Sequence, residues 1–351
     1  MRAGPRLKRR LGNLRLDLPA GESLCIKPGD DSVMHKLTIL ATSLAVMVMS
    51  WLPMQAAQAE PRTFVSSAGG GAACTRALPC AFLPNAYDVT DPGGEIDCLD
   101  NLDATSVVIT KSITIDCSGT NGGVIPLNNF GILVDAPNSI VTLRGLTVNG
   151  FGTGIGGIIL KSGTLRLENC RIIANNAGAA AGISVTPQSG ISAKLHVVDS
   201  IIEGNGAAAS GGGIIIQPSG TGSARVVIER SRIANNTYGI FANGMGSTGP
   251  ISVQIRDSVA VQNAFNGISA FTAPGQSIAS ITVDRSSSLL NGADGILAQG
   301  APAFVLLSAS TVISNQTGLH VLNNGNIFSF QDNKIAGNFT DGAPTAVLTT
   351  K

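Results

Sequence analysis

From Val141 to Phe339 the chain alternates apolar and polar residues in short bursts, and the bursts recur every 23 to 31 residues. The clearest copies read LRLENCRIIAN (Leu165–Asn175), LHVVDSIIEGN (Leu195–Asn205) and VVIERSRIANN (Val226–Asn236). Weaker copies follow as VQIRDSVAVQN, ITVDRSSSLLN, VLLSASTVISN and FSFQDNKIAGN. Written one above another they give rows of like residues. Each copy opens on an alternating apolar pair such as Leu165/Leu167 or Val226/Ile228. A small or polar row follows (Cys170, Ser200, Ser231, Ser258, Ser286, Ser310, Asn333), and each copy closes on asparagine: Asn175, Asn205, Asn236, Asn263, Asn291, Asn315 and Asn338. Glycine plus an aliphatic residue comes a few positions later, as in Gly182-Ile183 and Gly213-Ile214.

A fixed period of this size predicts a solenoid, in which each repeat buries its apolar face only against its neighbours. Alternation with period two is a strand pattern with one buried face. Strands stacked coil on coil lie ~4.8 Å apart, so like side chains pack directly on one another. An inward asparagine can then bond its own turn and the amides above and below, which keeps buried polar groups paired. The glycine beside it is expected to supply the backbone freedom of a sharp corner. Three short strands per coil describe an all-β, right-handed parallel β-helix of roughly ten coils. A leucine-rich repeat fits badly, because its period is shorter and its spacing is L-x-x-L-x-L.

These rows resemble those of the pectin-lyase-like β-helix family, and the resemblance covers most of the chain after the leader. Residues 60–95, with P-G-G at Pro92–Gly94, are similar to the opening of many such proteins. The resemblance implies an N-terminal cap with a helix over roughly Phe82–Val89 and the solenoid proper over 96–351. An uncovered solenoid end is a template for edge pairing, which is the physical reason to expect a cap.

Residues 1–33 are basic and aperiodic, and read as a disordered, over-extended start. From Met34 a short basic region (His35, Lys36) leads into the uncharged stretch Leu37–Met54, then Ala57-Gln58-Ala59. That is the pattern of a secretory signal peptide over 34–59, although an apolar run of this length could also nearly span a bilayer. Cleavage would leave an exported, periplasmic or extracellular protein with no membrane segment. Outside the cytoplasm cysteines pair. Cys74 and Cys80 flank a Gly/Pro-rich turn, while Cys98 and Cys117 hold equivalent places in EIDCLD and TIDCSG. The expected bridges are Cys74–Cys80 and Cys98–Cys117, though sequence alone permits other pairings. A zinc site is disfavoured by the absence of CxxC or flanking histidine. Cys170 falls in the inward row and reads as an inert thiol.

Charge narrows the function classes. With Lys+Arg 23 against Asp+Glu 22 and no basic stripe, nucleic acid is excluded as a partner. The G-x-G-x-x-G match at Gly152–Gly157 lacks a βαβ context and carries nothing. Glycosylation sequons begin at Asn235, Asn315 and Asn338, of which the last two belong to the inward row.

The family keeps its polysaccharide groove along the outside of one strand row, walled by long loops. Here extended loops such as Thr186–Ala193 and Gln217–Ala224 lie on one edge of four consecutive copies. The adjacent outward positions give the binding candidates Arg166, His196, Gln254 and Thr282, and the catalytic candidates His196, Glu168, Glu229, Arg256 and Asp284. The rows Glu229/Arg256/Asp284 and Arg230/Asp257/Arg285 alternate in sign, which reads more naturally as an ion-pair ladder. Arg256 between two acids also disfavours a calcium-binding carboxylate cluster. Calcium enters only if the chain is a lyase, and no cofactor or metal is otherwise expected. The Asp-Asp and Gly-His-Gly signatures of polygalacturonase-like hydrolases do not occur in the repeats, and aromatic platforms are scarce. The expectation is therefore a monomeric, non-catalytic polysaccharide binder or surface scaffold. A polysaccharide lyase, hydrolase or epimerase, and an adhesin with no sugar ligand, stand as alternatives.

Overall fold

A computed structural model describes residues 15–17, 23–25, 60–207 and 211–349. The expected leader at 34–59 lies outside the described residues, as does most of 1–33. Within that first segment Arg15–Asp17 and Ser23–Cys25 pair as two short antiparallel strands. Among the described residues no helix is long and apolar enough to cross a membrane.

From residue 60 onward the chain is a parallel β-solenoid of about ten turns. Three kinds of strand alternate. The L-x-L strands (for example Ser192–Val198, Ser223–Glu229 and Ile251–Arg256) pair in parallel with strict register, so Leu195 faces Val226 and Val226 faces Val253. Short strands such as Ile201–Glu203 and Arg232–Ala234 build a separate ten-stranded sheet, one strand per coil. Gly-Ile strands such as Gly212–Ile216 and Ile268–Phe271 complete the turn. Inward side chains stack into one continuous core. Leu165, Leu195, Ile228, Ile255 and Val283 are all buried, each worth about 1.5–3 kcal/mol relative to exposure.

Two polar ladders run through this core. Each row asparagine donates its backbone N–H and its Nδ2 to the Oδ1 of the asparagine one coil further on, at 2.9–3.2 Å from Asn175 to Asn338. The serine row repeats the device: Ser200, Ser231, Ser258 and Ser286 donate backbone N–H groups at 3.1 Å to the next serine hydroxyl. Cys170 begins that row, fully enclosed, and burial pushes its thiol up to about 11.

The glycine next to each asparagine turn does not make the corner. The residue before the asparagine does, in the left-handed region, and it is glycine only at Gly204 and Gly337, being Ala174, Asn235, Gln262, Leu290 and Ser314 in the other copies. Gly182 is needed for clearance instead. A Cβ there would stand 2.8 Å from Asn205 Nδ2 and 2.9 Å from the Gly213 carbonyl, so any side chain would break the ladder.

The first turn is closed by the helix Leu83–Val89, which begins one residue after the expected start because Phe82 has extended backbone as its N-cap. Leu83, Ala86 and Tyr87 face the core. The Tyr87 hydroxyl accepts the Thr110 N–H at 2.8 Å, and Lys111 Nζ donates to the Tyr87 and Thr90 carbonyls at 2.6 Å. The helix end is thereby tied to the second coil. Disulfides join Cys74 to Cys80 and Cys98 to Cys117, with Cα atoms 4.6 and 4.7 Å apart. The second bridge links stacked coils, since Asp97 faces Asp116 in the sheet.

Candidate functional site

The outward faces of the L-x-L strands form three columns, fixed by the register. One runs Thr164, Lys194, Arg225, Ser252, Ser280, Phe304; the next Arg166, His196, Val227, Gln254, Thr282, Leu306; the third Glu168, Val198, Glu229, Arg256, Asp284, Ser308. The four binding candidates thus share a single column, interrupted by Val227. The first column was not singled out from the sequence. Its residues stand one pair upstream of the L-x-L alternation, and the signal that finds them is the same period two carried backward.

The first two columns floor a cleft of about 710 Å³, lined by Lys194, His196, Arg225, Val227 and Gln254 with Ser192, Ser223, Pro250 and Ser252 at its side. The loops after the Gly-Ile strands wall it, and they are stacked rather than loose. Gly190 N–H donates to Thr221 Oγ1 at 2.8 Å, buried Ser247 donates its hydroxyl to the Gly222 carbonyl at 2.7 Å, and Ser277 N–H donates to the Ser247 carbonyl at 2.7 Å. Each loop leans on the next through these bonds, so the wall is as periodic as the floor.

Among the described residues no carboxylate lines the cleft. Lys194 and Arg225 are register partners one coil apart, and both are exposed. Like charges so placed repel, which makes a bound anion favourable between them. His196 lies beside them, half-buried. Burial first, then the Arg166 and Lys194 cations, hold its imidazole below the ordinary histidine range, against the opposing pull of Glu229.

The catalytic candidates do not converge. Glu168 accepts Arg144 Nε at 2.7 Å. Arg256 stands between Glu229 and Asp284, 3.6 Å from each, and Asp284 also receives Arg285 at 2.6 Å. Two of the three candidate carboxylates, Glu168 and Glu229, are two coils apart, about 9.6 Å, at the upper limit of an inverting carboxyl pair. Both are engaged by arginine and neither borders the cleft. The Glu229/Arg256/Asp284 row of the ion-pair ladder is connected as expected, and the second row differs at Arg230. Arg230 reaches back to Asp199 at 2.8 Å and Arg285 back to Asp257 at 2.8 Å, both in two-pronged contacts. The left-handed corner at Asp199, Arg230, Asp257 and Arg285 aims these side chains along the axis, in pairs rather than an unbroken row. Among the described residues no group of three or more His, Cys, Asp or Glu side chains is arranged to hold a metal ion.

No protein-family model matches the chain, and no curated protein matches it in sequence. Among solved structures it is similar to the pectate lyase Pel9A, at 13% identity and a TM-score of 0.42, over 82% of this chain and 76% of that one. It is also similar to a GH136 lacto-N-biosidase from Eubacterium ramulus, at 9% identity and a TM-score of 0.32, over 92% of this chain and 71% of that one.

Proposed function

We propose that the protein binds a polysaccharide bearing negative charge in the cleft above Lys194, His196 and Arg225, and performs no chemistry on it. One observation carries this reading: two stacked cations and a half-buried histidine share a walled cleft in which, among the described residues, no carboxylate pairs them. A glycan chain lying along the stack would meet cations for its acid groups and the Ser192, Ser223, Ser252 and Gln254 side chains for its hydroxyls. General acid–base catalysis would need a carboxyl or imidazole positioned with a partner at hydrogen-bond reach. His196 has no hydrogen-bonded carboxylate partner in the cleft, and the nearby acids are held by arginines. The two disulfides support an oxidising compartment, periplasmic or extracellular.

Affinity electrophoresis through gels loaded with acidic and neutral polysaccharides tests the reading. Retardation by an acidic glycan is expected, lost when Lys194 and Arg225 are both changed to glutamine. Release of oligosaccharides by the wild type, abolished in His196→Ala, would instead establish the enzyme alternative. No retardation in any gel would leave an interaction scaffold.

A further inference from the structure

The same groove changes character along its length. Three coils beyond Arg225, about 14 Å on, its column reaches Phe304, and the His196 column reaches Leu306 and then Phe328. Phe304 and Phe328 stand with ring centroids 6.4 Å apart, tilted 58°, and both are half-buried. Beside them Leu306, Phe330 and Thr282 line a second hollow of about 230 Å³. Gln254 borders both this hollow and the basic cleft, so the two adjoin along the same strand face. Among the described residues the one basic side chain lining the hollow is Arg256, already shared by Glu229 and Asp284.

We infer that the groove holds a heteroglycan in which acidic residues alternate with neutral sugars, its acid group at Lys194 and Arg225 and an uncharged ring stacked on Phe304 and Phe328. This rests on the cleft being a glycan site and adds which glycan. A sugar ring with an apolar C–H face covers aromatic surface favourably, the ring supplying a large rigid contact at little entropic cost. A polymer charged at every unit cannot use this end. Its carboxylates would be desolvated against Phe304 and Leu306, or set beside Asp284, with no cation left to pair them. A wholly neutral polymer would leave Lys194 and Arg225 facing each other uncompensated. Only a ligand with spaced charge matches both ends at once.

The test titrates the full-length protein with four probes: polygalacturonate, charged at every unit; gellan and hyaluronan, which space uronates between neutral sugars; and neutral hydroxyethylcellulose. At least one of the mixed glycans should bind about tenfold tighter than either extreme, which is about 1.4 kcal/mol. Phe304→Leu with Phe328→Leu, which keeps the apolar cover but removes the flat rings, should lose that margin while leaving the weaker polygalacturonate binding unchanged. Circular dichroism and melting of the leucine variant confirm that the fold is retained. Polygalacturonate binding as tight as the best mixed glycan, or a leucine variant that binds the mixed glycan as well as wild type, would overturn the inference and leave the basic cleft intact. Binding of none of the four would overturn the cleft reading and this one with it.

Discussion

Asp341 stands where an eighth asparagine would stand. Its Oδ1 accepts the Asn338 N–H at 3.0 Å and the Asn338 Nδ2 at 2.9 Å, the same pair of bonds that each asparagine receives from the coil before it. The last described turn thereby ends on a satisfied amide. Asp341→Ala should cost about 1 kcal/mol, since the orphaned donors are partly solvated. Hydrogen exchange should show faster opening confined to residues after 315, with the middle coils unchanged.

A break inside the ladder is more serious. Asn236→Ala removes the acceptor of two buried Asn205 donors and leaves the Ile202 carbonyl without its Nδ2 partner. The expected loss is about 2–4 kcal/mol, measured by chemical denaturation. Asn236→Asp should be at least as harmful, because it sets oxygen against the Asn263 Oδ1 and the Ile202 carbonyl.

Arg256 offers a discrimination between structure and chemistry. Arg256→Gln removes one cation from Glu229 and Asp284 at an exposed position while Arg230 and Arg285 stay beside them, so the expected change in stability is under about 1 kcal/mol and shrinks as salt is added. Glycan retardation in the basic cleft should be unchanged, because Arg256 does not line it.

Glu95 sets the acid dependence of the first coils. Burial, then the Asp97 charge and their shared hydrogen bond, raise its carboxyl above the ordinary glutamate range, with Arg62 opposing. A carboxyl raised in the folded state opposes folding while ionised, and that penalty disappears as pH falls through its folded value. Glu95→Gln should therefore melt higher than wild type at neutral pH, with the difference closing on acidification. Melting curves at pH 7 and at pH 4 check both halves of the statement.

His196 reports the field of the cleft. Its depressed imidazole is neutral at neutral pH, and the linked stability declines as pH falls through the unfolded histidine value near 6.5. Arg166→Gln should raise its titration midpoint in histidine-resolved NMR. A bound acidic glycan should raise it further in the wild type, whereas a neutral glycan should not.

The solenoid was legible in the sequence because its rows obey one rule: whatever points inward at Leu165 must stack on Leu195 and then on Val226. The strands, the asparagine row and the Cys98–Cys117 pairing follow from that alignment, whereas the cap helix is implied by the resemblance of residues 60–95 and Cys74–Cys80 by its Gly/Pro-rich turn. What the rows could not show lies off their period. Lys194 and Arg225 precede the alternation that defines the copies, so they drop out of an alignment started at the apolar pair. Asp341 follows Asn338 by three residues, far short of a repeat. Leu290 and Ala174 adopt a left-handed backbone that side chains normally avoid, held there by the coils on either side. The partner of Arg230 depends on which way that corner points, a property of backbone angles and not of spacing.

The asparagine column also has a direction. Every asparagine-to-asparagine bond in it is donated toward the later coil, and the first oxygen of the column, Asn175 Oδ1, is buried with no partner among the described residues. Summed over seven amides this makes a polar filament through an apolar core, positive at the Asn338 end, where the Asp341 carboxylate meets it. During synthesis the chain lays down each turn with its donors open and its acceptor already used. Growth at that end is always receptive, and it stops being so only when Asp341 arrives.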